Sequence, residues 1–283
     1  MLKSRGLIID DEKLAVHTLT HINYYRFSAY IYPFLKDKEN HLFKEKTSFQ
    51  NILDIYNFDR ELRLLLLDAI ERIEVSIRTN IIYVLSLKYE PFWLSDNKNF
   101  YDESRYQVHI DKLKEELDRS DEKSLKHYKS KYLEEIPPAW ISLEVASFGI
   151  VSLLFHNLKS TKDMKEISNR YGLSHITFTS WLHSLTYIRN LCAHHSRIWN
   201  RELGVQPNIP KSIGGLWLNK SESYKNDRVF YVIAILTYFL NVVNHPNGFI
   251  DKLYKLINNY PIIDLAAMGF PKNWREEELF IIK

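Results

Sequence analysis

Residues 48–87 read SFQNILDIYNFDRELRLLLLDAIERIEVSIRTNIIYVLSL and contain neither glycine nor proline. Apolar residues recur through this stretch every three or four positions, which is the spacing that collects side chains on one face of an α-helix. Glycine and proline are the residues that most often interrupt a helix, and the stretch has no such break. The sequence therefore predicts that Ser48–Leu87 forms the longest helix of the chain.

The composition of the whole chain also favours helices. The 283 residues include only 8 glycines and 9 prolines, whereas average proteins contain about 7% and 5% of these residues. A chain of this length is able to bury a substantial core. We therefore expect an all-α fold that forms a single interlocked domain over residues 1–283. Its N-terminal helices occupy residues 1–95, and the helices that carry the candidate site occupy residues 137–260.

Two further stretches have the apolar spacing of helices. Lys13–Leu35 predicts a helix that Pro33 ends or bends near Ile31. Val229–Val243 is apolar almost throughout, yet it is shorter than the roughly 20 residues of a membrane span and includes two polar side chains. We therefore expect a buried helix there and no membrane helix.

Charge and cysteine content limit the classes of partner and compartment. The 38 basic and 35 acidic residues leave a formal net charge of +3, which gives no general polycationic surface for nucleic acid. Any RNA-binding surface must therefore be local. The single cysteine, Cys192, excludes an internal disulfide and fits a reducing cytoplasm. The first dozen residues contain charges and no continuous apolar core, so we expect no signal peptide, no membrane partner and a cytoplasmic protein.

The most informative polar pattern lies at residues 181–201, which read WLHSLTYIRNLCAHHSRIWNR. On a helix, the apolar residues of this stretch form a stripe that can be buried, in which Cys192 is a small hydrophobe. The opposite side carries a band of polar residues three or four positions apart: His183, Tyr187, Asn190, His194, Arg197 and Arg201. Imidazole, amide and guanidinium groups in one line are suited to binding anions and transferring protons. The sequence predicts a core helix with such a surface on its exposed edge.

Other classes of site have little support in the sequence. There is no glycine-rich phosphate loop of an NTPase or dinucleotide enzyme, and there is no nucleophile elbow of a serine hydrolase. No pair of cysteines is available for zinc. His194 and His195 are adjacent, so on a helix they point about 100° apart, and no inward-facing carboxylate accompanies them. We therefore expect neither a metal ion nor another cofactor.

The candidate helix also resembles a known signature. Arg189-Asn190-Leu191-Cys192-Ala193-His194 consists of an arginine, a polar residue, a short spacer and a histidine, and it resembles the motif of HEPN ribonucleases. The continuation to Ile198-Trp199-Asn200 is similar to the Abi family of abortive-infection proteins, of the AbiD and AbiF kind. Four other blocks resemble the same family: residues 23–26 (NYYR), 56–63 (YNFDRELR), 70–78 (IERIEVSIR) and 139–149 (AWISLEVASFG).

This resemblance implies properties that the composition and spacing do not. It implies a HEPN-like helical bundle with additional packed helices, a role in bacterial defence against phage, and action on RNA. It also implies a homodimer, because HEPN enzymes commonly pair two copies of the motif, and an associated structured noncoding RNA as a partner. The residues that match the motif, Arg189, Asn190 and His194, are the catalytic candidates.

For these residues we formulate a hypothesis of metal-independent RNA cleavage by the RNA's own 2′-hydroxyl, which leaves a 2′,3′-cyclic phosphate. His194 transfers a proton near neutral pH, and Arg189 binds the phosphate oxygens through its forked donors. Asn190 orients the phosphate or the imidazole. RNA contacts are expected from side chains beside them: Arg197, Arg201, Tyr187 and Arg26.

Two acid–base pairs in the long helix have four-residue spacing. For Asp59 and Arg63 we expect intrahelical pairing. Glu74 and Arg78 either pair within the helix or support the site by packing against the functional helix and orienting its arginine or histidine. His195 is expected to be a packed structural histidine on the apolar side.

Two readings without catalysis remain open at this stage. In the first, the protein is an RNA-binding sensor or regulator whose Arg189, Asn190 and His194 hold a guide-like or inhibitory RNA without cutting it. In the second, it is a helical scaffold whose polar stripe is a protein interface.

Overall fold

The described chain is built almost entirely from helices. The computed structural model describes residues 1–219 and 223–281. These residues form eleven α-helices: α1 Glu12–Ile22, α2 Tyr24–Ile31, α3 Phe49–Tyr89, α4 Glu103–Arg119, α5 Lys123–Lys131, α6 Ala139–Val145, α7 Phe148–His156, α8 Thr161–Asn169, α9 His175–Ala193, α10 Val229–Val243 and α11 Phe249–Asn259. A small antiparallel hairpin pairs β1 Leu35–Asp37 with β2 Leu42–Phe43. The prediction of an all-α fold is confirmed.

The long helix α3 has well-defined chemical signals at both ends. At its start, the Ser48 hydroxyl accepts a hydrogen bond from the Asn51 backbone N–H at 3.2 Å, and the Asn51 side chain accepts one from the Ser48 N–H at 2.9 Å. This reciprocal arrangement is a capping box. At its end, Glu90 leaves the helical conformation immediately before Pro91, where proline disfavours α-helical geometry in the preceding residue. The predicted long helix is confirmed, with 41 residues.

Helix α3 is the central element of the core. It packs against α2, α6, α7, α8, α9, α10 and α11. Its buried apolar side chains follow helical spacing along the inner face and include Ile52, Ile55, Phe58, Leu62, Leu66, Ile70, Ile73, Ile77 and Ile81. They belong to one continuous cluster that also contains the buried side chains of α9 and α10. Because seven helices pack against α3, its buried face determines where most of the other helices lie.

Helix α10 lies beside α3 and has the bounds that the sequence predicts. Every side chain from Val229 to Leu240 is buried, including that of Thr237, whose hydroxyl donates to the backbone carbonyl of Ile233 at 2.8 Å. This bond satisfies the only polar group of Thr237 within the apolar layer. Of the helices in the described part of the chain, none is both long and apolar enough to span a bilayer.

The predicted N-terminal helix is divided into two. Asn23, with φ of 59°, separates α1 from α2, and its side chain accepts a hydrogen bond from the Tyr25 backbone N–H at 2.8 Å. Asparagine tolerates this left-handed region better than most residues and bonds readily to nearby backbone. Helix α2 ends at Ile31, in agreement with the expected effect of Pro33.

The packing of α3 leads to a prediction about stability. Ile77 is fully buried, whereas Val75, two residues earlier, is 51% exposed. We expect Ile77→Ala to lower the free energy of unfolding by about 2–5 kcal/mol, because it opens a cavity in the central layer. Val75→Ala is the matched control on the same helix and should change it by less than about 0.5 kcal/mol. Urea denaturation measures both, and equal losses would contradict the central position of this face of α3.

Candidate functional site

Helix α9 ends earlier than the sequence pattern suggests. It begins after the cap Ser174 and ends at Ala193, with His194 as the C-cap residue. Beyond it, His195 has φ of 57°, and its N–H donates to the Cys192 carbonyl at 3.0 Å, while the Ser196 N–H donates to the Leu191 carbonyl at 2.8 Å. These two bonds form a Schellman motif, which reverses the chain after the helix.

This early end corrects the predicted polar band. Arg197 and Arg201 lie beyond the reversal, so they do not continue the line of His183, Asn190 and the residues between them. Both arginines are half-buried, and the Arg201 guanidinium donates to the Arg197 carbonyl at 3.2 Å. The helix ends before these two arginines because residue 195 has a left-handed backbone conformation. This position is usually a glycine in such motifs, and here it is a histidine.

The residues of the HEPN-like motif lie at the C-terminal end of α9. Asn190 and His194 are exposed, and Arg189 is half-buried. In the described part of the chain, the hydrogen-bond partner recorded for the Arg189 guanidinium is the neighbouring Asn190 side-chain oxygen, at 3.5 Å. The arginine therefore forms no close ion pair among the described residues. Both its charge and the His194 imidazole are accessible from solvent.

Cys192, inside the same motif, has a structural role. It is free and buried against the core, and burial raises the pKa of its thiol to about 12. A thiol of that pKa is protonated at neutral pH and is a poor nucleophile. The interpretation of Cys192 as a small buried hydrophobe agrees with this position.

His195 does not have the expected packed position. The prediction placed it on the apolar side of a continuing helix, but its side chain is exposed and its backbone is in the left-handed turn. Its carbonyl oxygen accepts a hydrogen bond from the Arg26 guanidinium of α2. The contribution of His195 that the structure records is therefore through its backbone.

The segment after the turn is held by a buried carboxylate on α3. Asp59 is fully buried, and its Oδ1 accepts hydrogen bonds from the backbone N–H groups of Ile198, at 2.9 Å, and Trp199, at 2.6 Å. Its Oδ2 accepts from the Tyr30 hydroxyl of α2, at 2.6 Å, and from the Arg63 guanidinium. Four donors on one carboxylate satisfy the charge in an apolar environment.

Arg63 and Tyr30 complete this buried cluster. Arg63 is almost fully buried and also lies 3.5 Å from the Ser196 carbonyl oxygen. Burial, followed by the charge of Asp59, raises the pKa of the Tyr30 hydroxyl, so it remains a donor at neutral pH. The Tyr30 and Trp199 rings are nearly parallel, 6.3 Å apart. The cluster thus connects α2, α3 and the turn after α9.

The sequence predicts the Asp59–Arg63 pair but not its hydrogen bonds to α2 and to the segment after α9. The intrahelical pairing is confirmed. The signal for the larger role was the position of Asp59 between Ile55 and Leu62 on the apolar face of the long helix. A charged side chain at a core position requires partners from other elements, because burying an unpaired charge is very costly.

Glu74 and Arg78 connect α3 to α6 and to the site. Arg78 donates to Glu74 at 2.6 Å and to the carbonyls of Glu144, at 3.2 Å, and Ala146, at 3.0 Å, at the end of α6. Burial raises the pKa of the Glu74 carboxyl, and the positive charges of Arg78 and Arg189 oppose that shift. Glu74 is therefore close enough to Arg189 for an electrostatic interaction, while its direct hydrogen bond goes to Arg78.

The remaining candidates for RNA contact differ in accessibility. Tyr187 is half-buried, and its hydroxyl accepts from the Gly204 N–H at 3.3 Å. Arg26 is bonded to the His195 carbonyl, as described above. The Arg197 guanidinium has no hydrogen bond or ion pair to other described residues. Within residues 1–219 and 223–281, no group of three or more His, Cys, Asp or Glu side chains is placed to hold a metal ion.

The comparison with protein families matches residues 17–200 to the family described as Abi-like protein. The chain belongs to the Abi-like protein family. The match runs from α1 through the turn after α9, so it includes Asp59, Glu74, Arg189 and His194. It confirms the resemblance to the Abi family, and membership supports a role in abortive infection, a defence of bacteria against phage. The comparison with curated proteins and the comparison with solved structures each gave no match.

The buried cluster leads to a prediction for this Abi-like protein. Asp59→Ala removes the acceptor of four hydrogen bonds and leaves Arg63 buried without its carboxylate. We expect the free energy of unfolding to fall by about 3–5 kcal/mol. The control is Asp68→Ala on the same helix, which breaks exposed ion pairs to Arg72 and Lys252 and should cost no more than about 1 kcal/mol. If urea denaturation gave equal losses for both variants, Asp59 would not have the anchoring role described.

The left-handed residue of the turn leads to a second prediction. Because a side chain at φ of 57° is strained, His195→Gly should leave the free energy of unfolding unchanged or raise it by up to about 1 kcal/mol. His195→Val should lower it by about 1–3 kcal/mol, since a β-branched residue is disfavoured there. Thermal unfolding of the two variants tests the turn geometry. A stable valine variant together with a destabilised glycine variant would contradict it.

Proposed function

We propose that this Abi-like protein is a metal-independent endoribonuclease of the HEPN type, with Arg189, Asn190 and His194 as its reacting residues. The observation that carries the proposal is the accessible arginine and histidine at one end of α9, on backbone fixed by buried hydrogen bonds. The arginine has no close carboxylate partner among the described residues. A guanidinium without a directly bonded carboxylate and an exposed imidazole at the same end of a helix are suited to a phosphodiester.

The reaction is an internal transfer within the RNA. The 2′-oxygen attacks the neighbouring phosphorus, and the bond from phosphorus to the 5′-oxygen of the next nucleotide breaks. One imidazole accepts the proton of the 2′-hydroxyl, and an imidazolium donates a proton to the leaving 5′-oxygen. The products are a 2′,3′-cyclic phosphate and a free 5′-hydroxyl. No water or metal ion enters this balance.

The arginine and asparagine act on the phosphate. As the pentacoordinate phosphorus forms, negative charge grows on its non-bridging oxygens, and the forked donors of Arg189 stabilise that charge. The Asn190 amide orients either the phosphate or the imidazole. Glu74 and Arg78 support the site as positioning residues, because Arg78 binds Glu74 on α3 and also two carbonyl groups at the end of α6.

The proposal includes a homodimer and an RNA partner. Two proton-transfer groups are needed, and a second copy of the motif supplies the second His194, as in the paired sites of the HEPN enzymes that the motif resembles. In this proposal the RNA strand contacts Arg197, Arg201, Tyr187 and Arg26. An associated structured noncoding RNA is proposed as a second ligand of the same surface.

The test is RNA cleavage by full-length protein in the presence of EDTA. We expect wild-type protein to cut single-stranded RNA and to leave 2′,3′-cyclic phosphate ends. His194→Ala should reduce the cleavage rate by about 10²–10⁴, the usual contribution of a general acid or base, while RNA affinity changes by less than about threefold. His127→Ala, at an exposed position on α5 and outside the polar band of α9, is the matched control and should retain the wild-type rate.

The opposite result distinguishes the non-catalytic alternative. If no RNA is cut and His194→Ala weakens only RNA binding, the protein is an RNA-binding sensor and the nuclease proposal is wrong. Arg189→Lys sharpens the distinction, since lysine keeps the charge but loses the forked donors. A nuclease loses cleavage rate in this variant with little loss of affinity.

A further inference from the structure

A cleft on the outer side of α2 has features that neither the fold nor the α9 motif explains. This α2 cleft lies between residues 1–5, helix α2 and the β1–β2 hairpin, and its volume is about 430 Å³. Small-molecule sites commonly have volumes of about 300–1,000 Å³. The side chains of interest in its lining are Arg5, Tyr24, Tyr32 and His41.

The two tyrosines present accessible aromatic rings. Tyr24 is 38% exposed and Tyr32 is 56% exposed, whereas the core face of α2 is formed by buried neighbours such as Phe27 and Tyr30. The Lys38 ammonium lies 4.4 Å from the centroid of the Tyr32 ring, over its face. Exposed aromatic rings are the usual platforms on which proteins stack unpaired bases.

The charge in the α2 cleft is basic. Arg5 is half-buried, and its guanidinium has no hydrogen bond or ion pair to the described residues. His41 lines the same cleft, and the described lining residues include no aspartate or glutamate. A guanidinium without a carboxylate beside two aromatic rings is suited to a phosphate attached to a flat base.

Helix α2 connects the cleft to the candidate site. Arg26, two residues after Tyr24, donates to the His195 carbonyl, and Tyr30 donates to Asp59, which holds the segment after the turn. Residues two positions apart on a helix differ by about 3 Å along the axis and point to roughly opposite sides of it. The wall of the cleft and the turn that carries His194 are therefore joined through one short helix.

We propose that the α2 cleft binds one unpaired nucleotide of the single-stranded RNA on which the site on α9 acts. The base stacks on Tyr24 and Tyr32, and its phosphate contacts Arg5 and His41. This inference rests on the proposed function, because it requires one RNA strand to occupy both the α2 cleft and the site on α9. A base in a duplex is already paired and stacked, so the cleft selects single-stranded RNA over a duplex.

The first test measures RNA affinity in the cleavage-deficient background. A fluorescein-labelled twelve-nucleotide oligouridylate is titrated with full-length His194→Ala protein, and fluorescence anisotropy gives the dissociation constant. Adding Tyr24→Leu or Tyr32→Leu should weaken binding by about tenfold each, the effect expected from losing one stacked base. Arg5→Gln should weaken binding and reduce its dependence on salt. The control is Tyr101→Leu, a tyrosine that is 84% exposed and outside the cleft.

The second test locates the base directly and uses no tyrosine substitution, so it does not depend on how the tyrosine variants fold. The same oligonucleotide carrying 5-iodouridine is irradiated with the His194→Ala protein, and the crosslinked peptides are identified by mass spectrometry. We expect crosslinks at Tyr24 or Tyr32. Crosslinks confined to residues outside the cleft overturn the proposal.

The outcomes separate this inference from the nuclease proposal. If wild-type protein cuts RNA while Tyr24→Leu and Tyr32→Leu bind as tightly as Tyr101→Leu, the cleft proposal is wrong and the nuclease proposal stands. If the tyrosine variants lose affinity but no RNA is ever cut, the cleft is a nucleotide site and the nuclease proposal is wrong. If the oligonucleotide does not bind to the full chain, the cleft proposal is wrong, and the nuclease proposal is decided by whether wild-type protein cuts RNA.

Discussion

The buried carboxylate of Asp59 is the constraint on which the geometry of the candidate site depends. Its charge lies inside the apolar core, where it is tolerated only because four donors are directed at it. Two of these donors are the backbone N–H groups of Ile198 and Trp199, so the carboxylate determines where the chain runs after α9. Removing any donor leaves a lone pair of a buried charge unsatisfied, which makes alternative paths of this segment costly.

The same arrangement explains why the site is carried by an end of a helix rather than by its middle. Within α9, the backbone groups bond to one another, and the side chains of one face fill the core. At the C-terminus, the Schellman motif closes the helix at Ala193, and the following residues are fastened to α3 and α2. His194 is thus exposed on a backbone that is fixed on both sides, and fixed backbone near exposed reactive groups is what precise positioning requires.

The sequence predicts long elements well and local reversals poorly. The bounds of α3 and α10 follow from uninterrupted apolar spacing, which is a property of many residues together. The breaks at Asn23 and after Ala193 depend on single residues with positive φ, and position 195 lacks the glycine that usually marks such a turn. The candidate arginine and histidine are recognisable from their spacing. The role of Asp59 requires knowing which distant backbone groups face it, and spacing alone contains no such information.

The acidic residues of α3 also determine which positive charges remain available to a ligand. Glu74 lies within electrostatic range of both Arg78 and Arg189, but its 2.6 Å hydrogen bond goes to Arg78. That pair is largely buried, and Arg78 is further held by two carbonyls of the α6 end. A carboxylate bonded directly to Arg189 would occupy the donors that a phosphate needs. Because Arg78 takes the carboxylate, Arg189 keeps free donors at the surface, which is the condition for binding an anion there.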